Sequence, residues 1–451
     1  MGRIALIGEN SVEYVNILID IWNKGDCAVL IDWRIPLRTA IELMNDANVY
    51  MCYIEQGLLK KTNALIPESI ECIEYEKAST AAAWLPQETY DKFTENYSSD
   101  EAIVIYSSGT TGKSKGIILS HFAINTNADA IIDYMQPCDK DRIYLAKTLS
   151  HSSTLTGELL VALKTRMQLF IPPTVVPPRY ALKKIAENRI TIVCLNPTLL
   201  KLYADEYKRD EYTIYTLRAI YVSGSILSDS VYDYVHSVFR GIDIYNVYGL
   251  SEAGPRVSAQ KKECCKSNSV GKAIKDVEII IVDENGNSVP TGERGVVHVK
   301  SPSRFLGYIS GEEKHKSYCD SWQNTGDIGY FDQHEELHIV SRRDDVIFLD
   351  SHKIYPSEVE KHIVSLANVA ECAVTAIECC GTSIICCAYS AEHEIDHGIK
   401  RRLRSVLMPY EIPNLFVRIN EIPRTRNGKI STHNVQNLLL DYLNGGETRG
   451  H

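Results

Sequence analysis

The sequence predicts an α/β protein: a parallel sheet with helices on its faces, then a hairpin-rich stretch, then a smaller mixed segment. Three observations carry that prediction. Residues 1–60 alternate short apolar runs with a helical period, the βαβ rhythm of a parallel sheet. From about residue 270 the texture changes to apolar runs separated by turn residues, which reads as β-hairpins. After about residue 345 a βαβ-like pattern closes the chain. At roughly 150 residues per domain, the 451 residues correspond to about three folding units or one large enzyme.

Taken in order, RIALIG is expected as a strand, VEYVNILIDIWNKG as a helix ending at Gly25, and CAVLID as a second strand. IAENRITIVCLNPTLLKLYADEY and LRAIYVSGSILSDSVYDYVHSVF repeat the alternation with Pro or Gly punctuation. In VEIIIVDENGNSVPTGERGVVHVKS, the ENGN and PTGERG turns separate strands. PSEVEKHIVSL reads as a helix, AECAVTAIE and SIICCAY as strands, and the tail LNGGETRGH as frayed. There is no internal repeat and no low-complexity tract.

A chain of this length buries an ample core without disulfides or metals. With 44% hydrophobic and 24% charged residues it is not a disordered chain. Lys plus Arg is 48 and Asp plus Glu 58, so the formal charge is 48 − 58 = −10. That balance disfavours nucleic acid and anionic membranes as partners, and any anion must be held by a local site. MGRIALIGENS lacks the apolar core of a signal peptide, and Leu6 stands where a myristoylation signal needs Ser or Thr. No apolar stretch approaches the roughly 18 residues of a membrane span. The 13 Cys include the adjacent pairs Cys264/Cys265, Cys379/Cys380 and Cys386/Cys387 but no CxxC. They are expected to be reduced thiols of a soluble cytoplasmic protein.

The most informative segment is IVIYSSGTTGKSKGIILSH, residues 103–121. A β-branched strand runs into Ser107, Ser108, Gly109, Thr110, Thr111, Gly112, Lys113, Ser114, Lys115 and Gly116. Glycines let successive N–H groups converge, hydroxyls add donors and lysines add charge, which makes a nest for polyphosphate oxygens. A P-loop would need Gly where Ser107 stands and a later strand ending in a Mg-binding Asp, so that reading fails. His334-Glu335-Glu336-Leu337-His338 fits the zincin pattern HExxH, which works only on a helix. Flanked by GDIGYFDQ and LHIVS, it is expected in a β-turn instead.

With this loop the chain resembles the adenylate-forming superfamily of acyl- and aryl-CoA synthetases, peptide-synthetase adenylation domains and luciferases. The loop is similar to that family's SSGTTGxPKG signature, with Ser114 in place of Pro. Further motifs follow in the family's order across roughly residues 100–430. YNVYGLSEAG (245–254) resembles YGxTE, which implies Tyr248 stacked on adenine, Ser251 near the phosphate and Glu252 on Mg²⁺. Asn246 and Gly249 join the ATP site on the same resemblance. YVSGSILS (221–228) resembles the Gly-rich wall of the nucleotide and acyl pocket. NTGDIGYF (324–331) implies that Asp327 holds the ribose hydroxyls, and SRRDD (341–345) that Arg342 reaches the ribose and Asp344 is a hinge. PRTRNGKI (423–430) places Lys429 as the catalytic lysine.

The resemblance implies a large N-terminal domain, 1–342, of parallel and mixed sheets with flanking helices plus a β-rich subdomain. A small mobile α+β domain, 343–451, would carry Lys429. Three departures stand out. The chain begins close to the family's usual first βα unit, so an N-terminal segment common in relatives is expected to be missing. Ser341 replaces the Gly before Arg342, and Ser351 replaces a Gly bordering the pantetheine tunnel.

The implied reaction activates a carboxylic acid with ATP and Mg²⁺ to acyl-AMP, releasing pyrophosphate, then transfers the acyl group to a thiol. That thiol is CoA or the phosphopantetheine of an acyl carrier protein. Charge builds on phosphoryl oxygens, so cationic donors and a metal are the useful groups. Lys429 is assigned to the α-phosphate and the acid, Thr110 and Thr111 to the β/γ oxygens, and Lys113 and Lys115 to electrostatic support. TLSHSSTLTGELLVAL (148–163) has His151 and Ser152 where amino-acid activators carry an Asp. An α-ammonium would therefore lack its partner. His151 resembles the gate residue of acyl- and aryl-acid activators. Ser223, Gly224, Ser225, Ala253 and Gly254 would line a moderately small pocket, favouring an aryl or short-to-medium acyl acid. A monomer or homodimer is expected.

Overall fold

The computed structural model describes residues 2–59, 66–77, 82–108, 114–173, 176–210, 212–261, 269–310, 318–319, 322–349, 352–367, 369–379, 382–395, 398–425 and 429–443. The chain divides into two compact units. The first is Met1–Gly224, His236–Ile280 and His298–Thr325; the second is Ser225–Val235, Ile281–Val297 and Gly326–His451.

The expected opening βαβ unit is present. Strands Arg3–Ile7 and Cys27–Ile31 pair in parallel around helix Val12–Asn23. Ser11 caps that helix by accepting from the Tyr14 N–H, and its Leu18, Ile19, Ile21 and Trp22 are buried. Each Leu or Ile so buried contributes about 1.5–3 kcal/mol. Gly25, at φ +78, turns the chain out of the helix. The sheet has seven strands, in the order Gly307–Tyr308, Ser114–Ser120, Glu101–Ser108, Cys27–Ile31, Arg3–Ile7, Met51–Glu55 and Glu71–Tyr75. The last five pair in parallel, while Ser114–Ser120 and Gly307–Tyr308 add an antiparallel edge.

A second, eight-stranded sheet is built by the repeats read from the sequence. Arg142–Tyr144, Ile192–Leu195, Ala219–Val222 and Asp243–Gly249 run in parallel. Arg256–Ala259 then returns antiparallel to Asp243–Gly249. The helix Pro197–Arg209 starts where Asn196 accepts from the Leu199 N–H at 2.8 Å. Cys194, Tyr221 and Tyr245 stand side by side across three strands.

In the second unit, the ENGN turn closes as expected: the Asp283 N–H donates to the Asn287 carbonyl at 2.8 Å, and Gly286 adopts φ +84. The terminal segment differs from its expected βαβ form. Glu371–Cys379 and Thr382–Ser390 are antiparallel. Only positions 380 and 381 join them, whereas a parallel crossover needs a dozen or more residues. The parallel partner is Leu415–Arg418, reached through helix Ile399–Leu403.

This small sheet buries both faces. Cys372, Val374, Cys387 and Tyr389 pack with Val359 and Ile363 of helix Pro356–Ala367. Ala373, Ile377, Cys386 and Ala388 pack with Val435 and Leu439 of helix Thr432–Leu443. The adjacent Cys386 and Cys387 thus enter opposite cores, as strand alternation requires. Among the described residues no helix is long and apolar enough to cross a membrane.

Candidate active site

Gly109, Thr110, Thr111, Gly112 and Lys113 lie outside the described residues, as do the side chains of Ser107, Ser108 and Ser114. The strands on either side are described. Ser107 pairs with Lys115 and Ser108 with Ser114 in an antiparallel register. A strand therefore leaves the loop where a P-loop would open a helix, and the P-loop reading is excluded by topology.

Beside this loop the first unit assembles a charged triad. Lys115 Nζ lies 5.6 Å from the centre of the Tyr308 ring, and the Tyr308 hydroxyl donates to Glu252 Oε1 at 3.0 Å. Tyr308 is placed by pairing with Ile117 at the sheet edge, and Glu252 by a bond from the Phe305 N–H to its carbonyl at 2.9 Å. The sequence reading missed Tyr308; lone aromatics after a Gly carry no distinctive signal.

Tyr248 and Gly249 sit at a register shift of the strand Asp243–Gly249. A Cβ at Gly249 would stand 1.9 Å from the Pro255 carbonyl oxygen, so only glycine allows the following chain to return this closely. Gly254 adopts φ +95 with its Cβ position 2.4 Å from Ser303 Cβ. Asn246 is buried, its N–H donating to Gln260 Oε1 at 2.8 Å.

The acid-side residues are linked to this segment. Ser152 Oγ and Ser251 Oγ are 2.8 Å apart, which ties the YGLSEAG stretch to the start of the helix after His151. His151 faces Asp32. Burial raises the Asp32 carboxyl, but the Arg34 hydrogen bonds and then the His151 charge outweigh it and hold the group below its usual range. Ser223 is buried and Gly224, at φ +102, ends the first unit's contribution; Ser225 falls in the second unit.

Glu158 and Arg256, both buried, were not singled out from the sequence. Their signal was a lone charge inside TGELLVAL and inside GPRVSA. Glu158 Oε1 is 3.1 Å from Lys147 Nζ.

The second unit holds the other predicted residues. Asp327 and Arg342 are register partners on antiparallel strands, and Arg342 Nη1 donates to the buried Asp327 Oδ1 at 2.7 Å. Asp344 is exposed in the short turn Arg343–Asp345. Asp345 keeps exposed surface, but the packing around its carboxyl strips enough water to raise it above its usual range; Asp344 and Asp327 add to this, while Arg342 and Lys429 oppose it. Lys429 is exposed, and its carbonyl accepts from the Thr425 N–H at 2.7 Å beside the Arg424–Ile430 bridge. Ser351 lies outside the described residues.

His334–Glu336 form a turn, not a helix. Asp332 Oδ1 accepts from the His334 and Glu336 N–H groups at 2.9 Å, and His338 Nε2 is 3.1 Å from Asp332 Oδ2. Among the described residues no group of three or more His, Cys, Asp or Glu could hold a metal by itself. Glu252, joined through Tyr308 to Lys115, still suits Mg²⁺, which takes one or two carboxylates together with phosphate oxygens.

The AMP-binding enzyme family model matches residues 2–309, and the AMP-binding enzyme C-terminal domain model residues 358–429. The chain is 24% identical to indoleacetate–CoA ligase of Aromatoleum aromaticum over 451 residues, covering 97% of this chain and 88% of that protein. It is also 24% identical to the fatty acid–[acyl-carrier-protein] ligase ScoC of Streptomyces coeruleorubidus, covering 95% and 85%. The fold superposes on ATP-bound MatB from Rhodopseudomonas palustris with a TM-score of 0.88 at 21% identity, over 98% of this chain and 89% of that one. The triad beside the Ser/Thr/Gly loop, the ordered motifs and two family models covering most of the chain converge: the protein is an adenylate-forming enzyme of the AMP-binding family.

Proposed function

We propose that the protein activates an aryl or short-to-medium acyl carboxylic acid as its acyl-adenylate and passes the acyl group to the thiol of CoA. The observation that carries this is the convergence of Lys115, Tyr308 and Glu252 beside the phosphate loop, with Ser251 joined to the segment that starts at His151. A carboxylate cannot expel oxide, so one of its oxygens attacks the ATP α-phosphorus and pyrophosphate leaves. Lys429 steadies the charge on the α-phosphate and the acid, and the loop donors steady the departing oxygens. Tyr248 offers a ring to the adenine. The Asp327 carboxylate, fixed by Arg342, accepts from the ribose hydroxyls. Glu252 would hold Mg²⁺, which when bound would neutralise phosphate charge.

In the second half-reaction a thiolate attacks the acyl carbon and AMP leaves with the bonding pair. We place the domain boundary at 342 and the hinge at Asp344, so that Lys429 serves only the first half. Hinges are a few such residues absorbing large dihedral changes. The similarity to ScoC supports a second acceptor, the phosphopantetheine of a carrier protein. Free, mostly buried cysteines among the described residues fit a reducing cytoplasm.

The test is a carboxylic-acid panel followed by pyrophosphate release, repeated with CoA and with a phosphopantetheinylated carrier protein. Release with an aryl or medium acyl acid, coupled to acyl-CoA formation, is the expected result. Silence with every acid would refute the reading, and thioester formed only on the carrier would replace CoA by the second acceptor.

A further inference from the structure

Along the helix that follows His151 the first unit gathers a set of charged groups that the steps above do not use. The helix beginning at Ser152 widens over Leu155–Leu160, and this wide turn carries Glu158, which has no exposed surface. Lys147 Nζ approaches Glu158 Oε1 at 3.1 Å. Arg256, only 3% exposed, is fixed through its backbone: its N–H donates to Asn127 Oδ1 and its carbonyl accepts from Asn127 Nδ2, each at 2.9 Å. A Cβ on Gly157 would stand 3.1 Å from Arg256 Nη2, so the guanidinium lies against the turn that carries Glu158. Lys147, Glu158 and Arg256 all act on the Cys194 thiol, and Arg256 acts on the Tyr134 phenol, so these groups share one space.

The hydrogen bonding there is incomplete. Lys147 Nζ and Glu158 Oε1 have only each other, at 3.1 Å, the Tyr134 hydroxyl meets only Arg256, and Arg256 Nε and Glu158 Oε2 are buried with no well-formed hydrogen bond in the protein. The charge is incomplete too: two cations face one carboxylate. Buried charges are normally matched and hydrogen-bonded, and leaving donors bare costs free energy. A carboxylate supplies the missing negative charge and the acceptor oxygens, and a guanidinium fork suits it.

The position fits the acid. Ser251, linked to Ser152, lies five residues before Arg256, and Glu158 lies seven residues after His151. Seven residues of helix span on the order of 10 Å. We propose that the acid this enzyme activates is a dicarboxylate: one carboxylate reacts near His151 while the second is received by Arg256, Lys147 and Tyr134. This rests on the function proposed above and names its substrate class. Burial pushes the Glu158 carboxyl up to about 7, against the opposing pull of Lys147 and Arg256, so near neutrality it adds a donor and enlarges the positive excess.

Length-matched pairs test the inference: hexanoate against adipate, octanoate against suberate, and cinnamate against 4-carboxycinnamate, each followed by pyrophosphate release. In at least one pair the diacid should exceed the monoacid in kcat/KM by about 100-fold, because a site built for a polar group rejects an analogue lacking it. Arg256→Leu should abolish that preference, lowering the diacid by about 100-fold while the monoacid stays within about threefold, and Arg256→Lys should restore part of it. Lys147→Met, which removes one of the two cations, should cost the diacid about tenfold and serves if Arg256→Leu does not fold. Calorimetry with the diacid alone should show binding that Arg256→Leu removes. Efficient monoacid turnover without a diacid preference, or equal loss of both acids in the variants, overturns the dicarboxylate and leaves the ligase reading standing. No release from any acid overturns both.

Discussion

The two units hold their functional charges in opposite ways. In the first, Glu252 and Lys115 meet through Tyr308 at the edge of a seven-stranded sheet, and elsewhere in the same unit Glu158 and Arg256 are buried with Lys147 half-buried beside Glu158. In the second, Asp327 is fixed by a cross-strand arginine, but Lys429 is exposed next to the Arg424–Ile430 bridge. On the function proposed above, Lys429 is a cation needed at one step and unwanted at the next, which suits an element that can leave, whereas groups proposed to hold ATP throughout suit a rigid sheet. That division is what a two-step reaction asks of its scaffold.

The largest expected effect breaks the contrast at Lys429. Lys429→Ala should lower ATP–pyrophosphate exchange by about 100-fold or more, while thiolysis of a supplied acyl-adenylate stays within a few-fold. Equal loss in both half-reactions would mean that the lysine is not confined to one step. Next, Glu252→Gln should reduce exchange by about 10–100-fold, with a shift to higher Mg²⁺ demand in a metal titration, since Mg²⁺ needs the carboxylate. Asp327→Asn should raise the KM for ATP by about tenfold with little change in kcat, because a ribose contact made in both ground and transition states is uniform binding. Tyr308→Phe should be milder, about three- to tenfold in exchange, by loss of one hydrogen bond to a carboxylate.

The smallest effect concerns stability. Burial raises Glu158 from 4.5 to about 7, so between those values the folded state keeps a proton that the unfolded state releases. Stability must then fall as pH rises through that window and level off above it. Glu158→Gln should flatten that slope, a difference of about 1–3 kcal/mol at pH 8 in chemical denaturation. An unchanged slope would assign the pH response to other groups.

Much of this was legible in the sequence, for identifiable reasons. The opening βαβ unit shows because period and punctuation agree: Ser11 caps, Gly25 stops, and CAVLI is apolar throughout. The motif residues were singled out by resemblance to a family's signatures, and the structure pairs Asp327 with Arg342 and Ser251 with Ser152. Tyr308 does not show, because its role depends on a sheet edge bringing it to Glu252 from 56 positions away. Arg256 and Glu158 do not show either, because one charge in an apolar run signals a buried partner without naming it. The antiparallel order of the terminal strands was missed although the short 380–381 link forbids a crossover.

The widened turn at Leu155–Leu160 has one more consequence. A turn closed by i→i+5 bonds holds an extra residue compared with ordinary helix. Removing one residue there would rewind the helix and swing Gly157 and Glu158 away from Arg256. Residues further along, Val161 to Leu163, could keep their places in the core. Single-residue insertions and deletions at this turn are therefore a route by which evolution could re-aim the acid-facing side of the enzyme without rebuilding its interior.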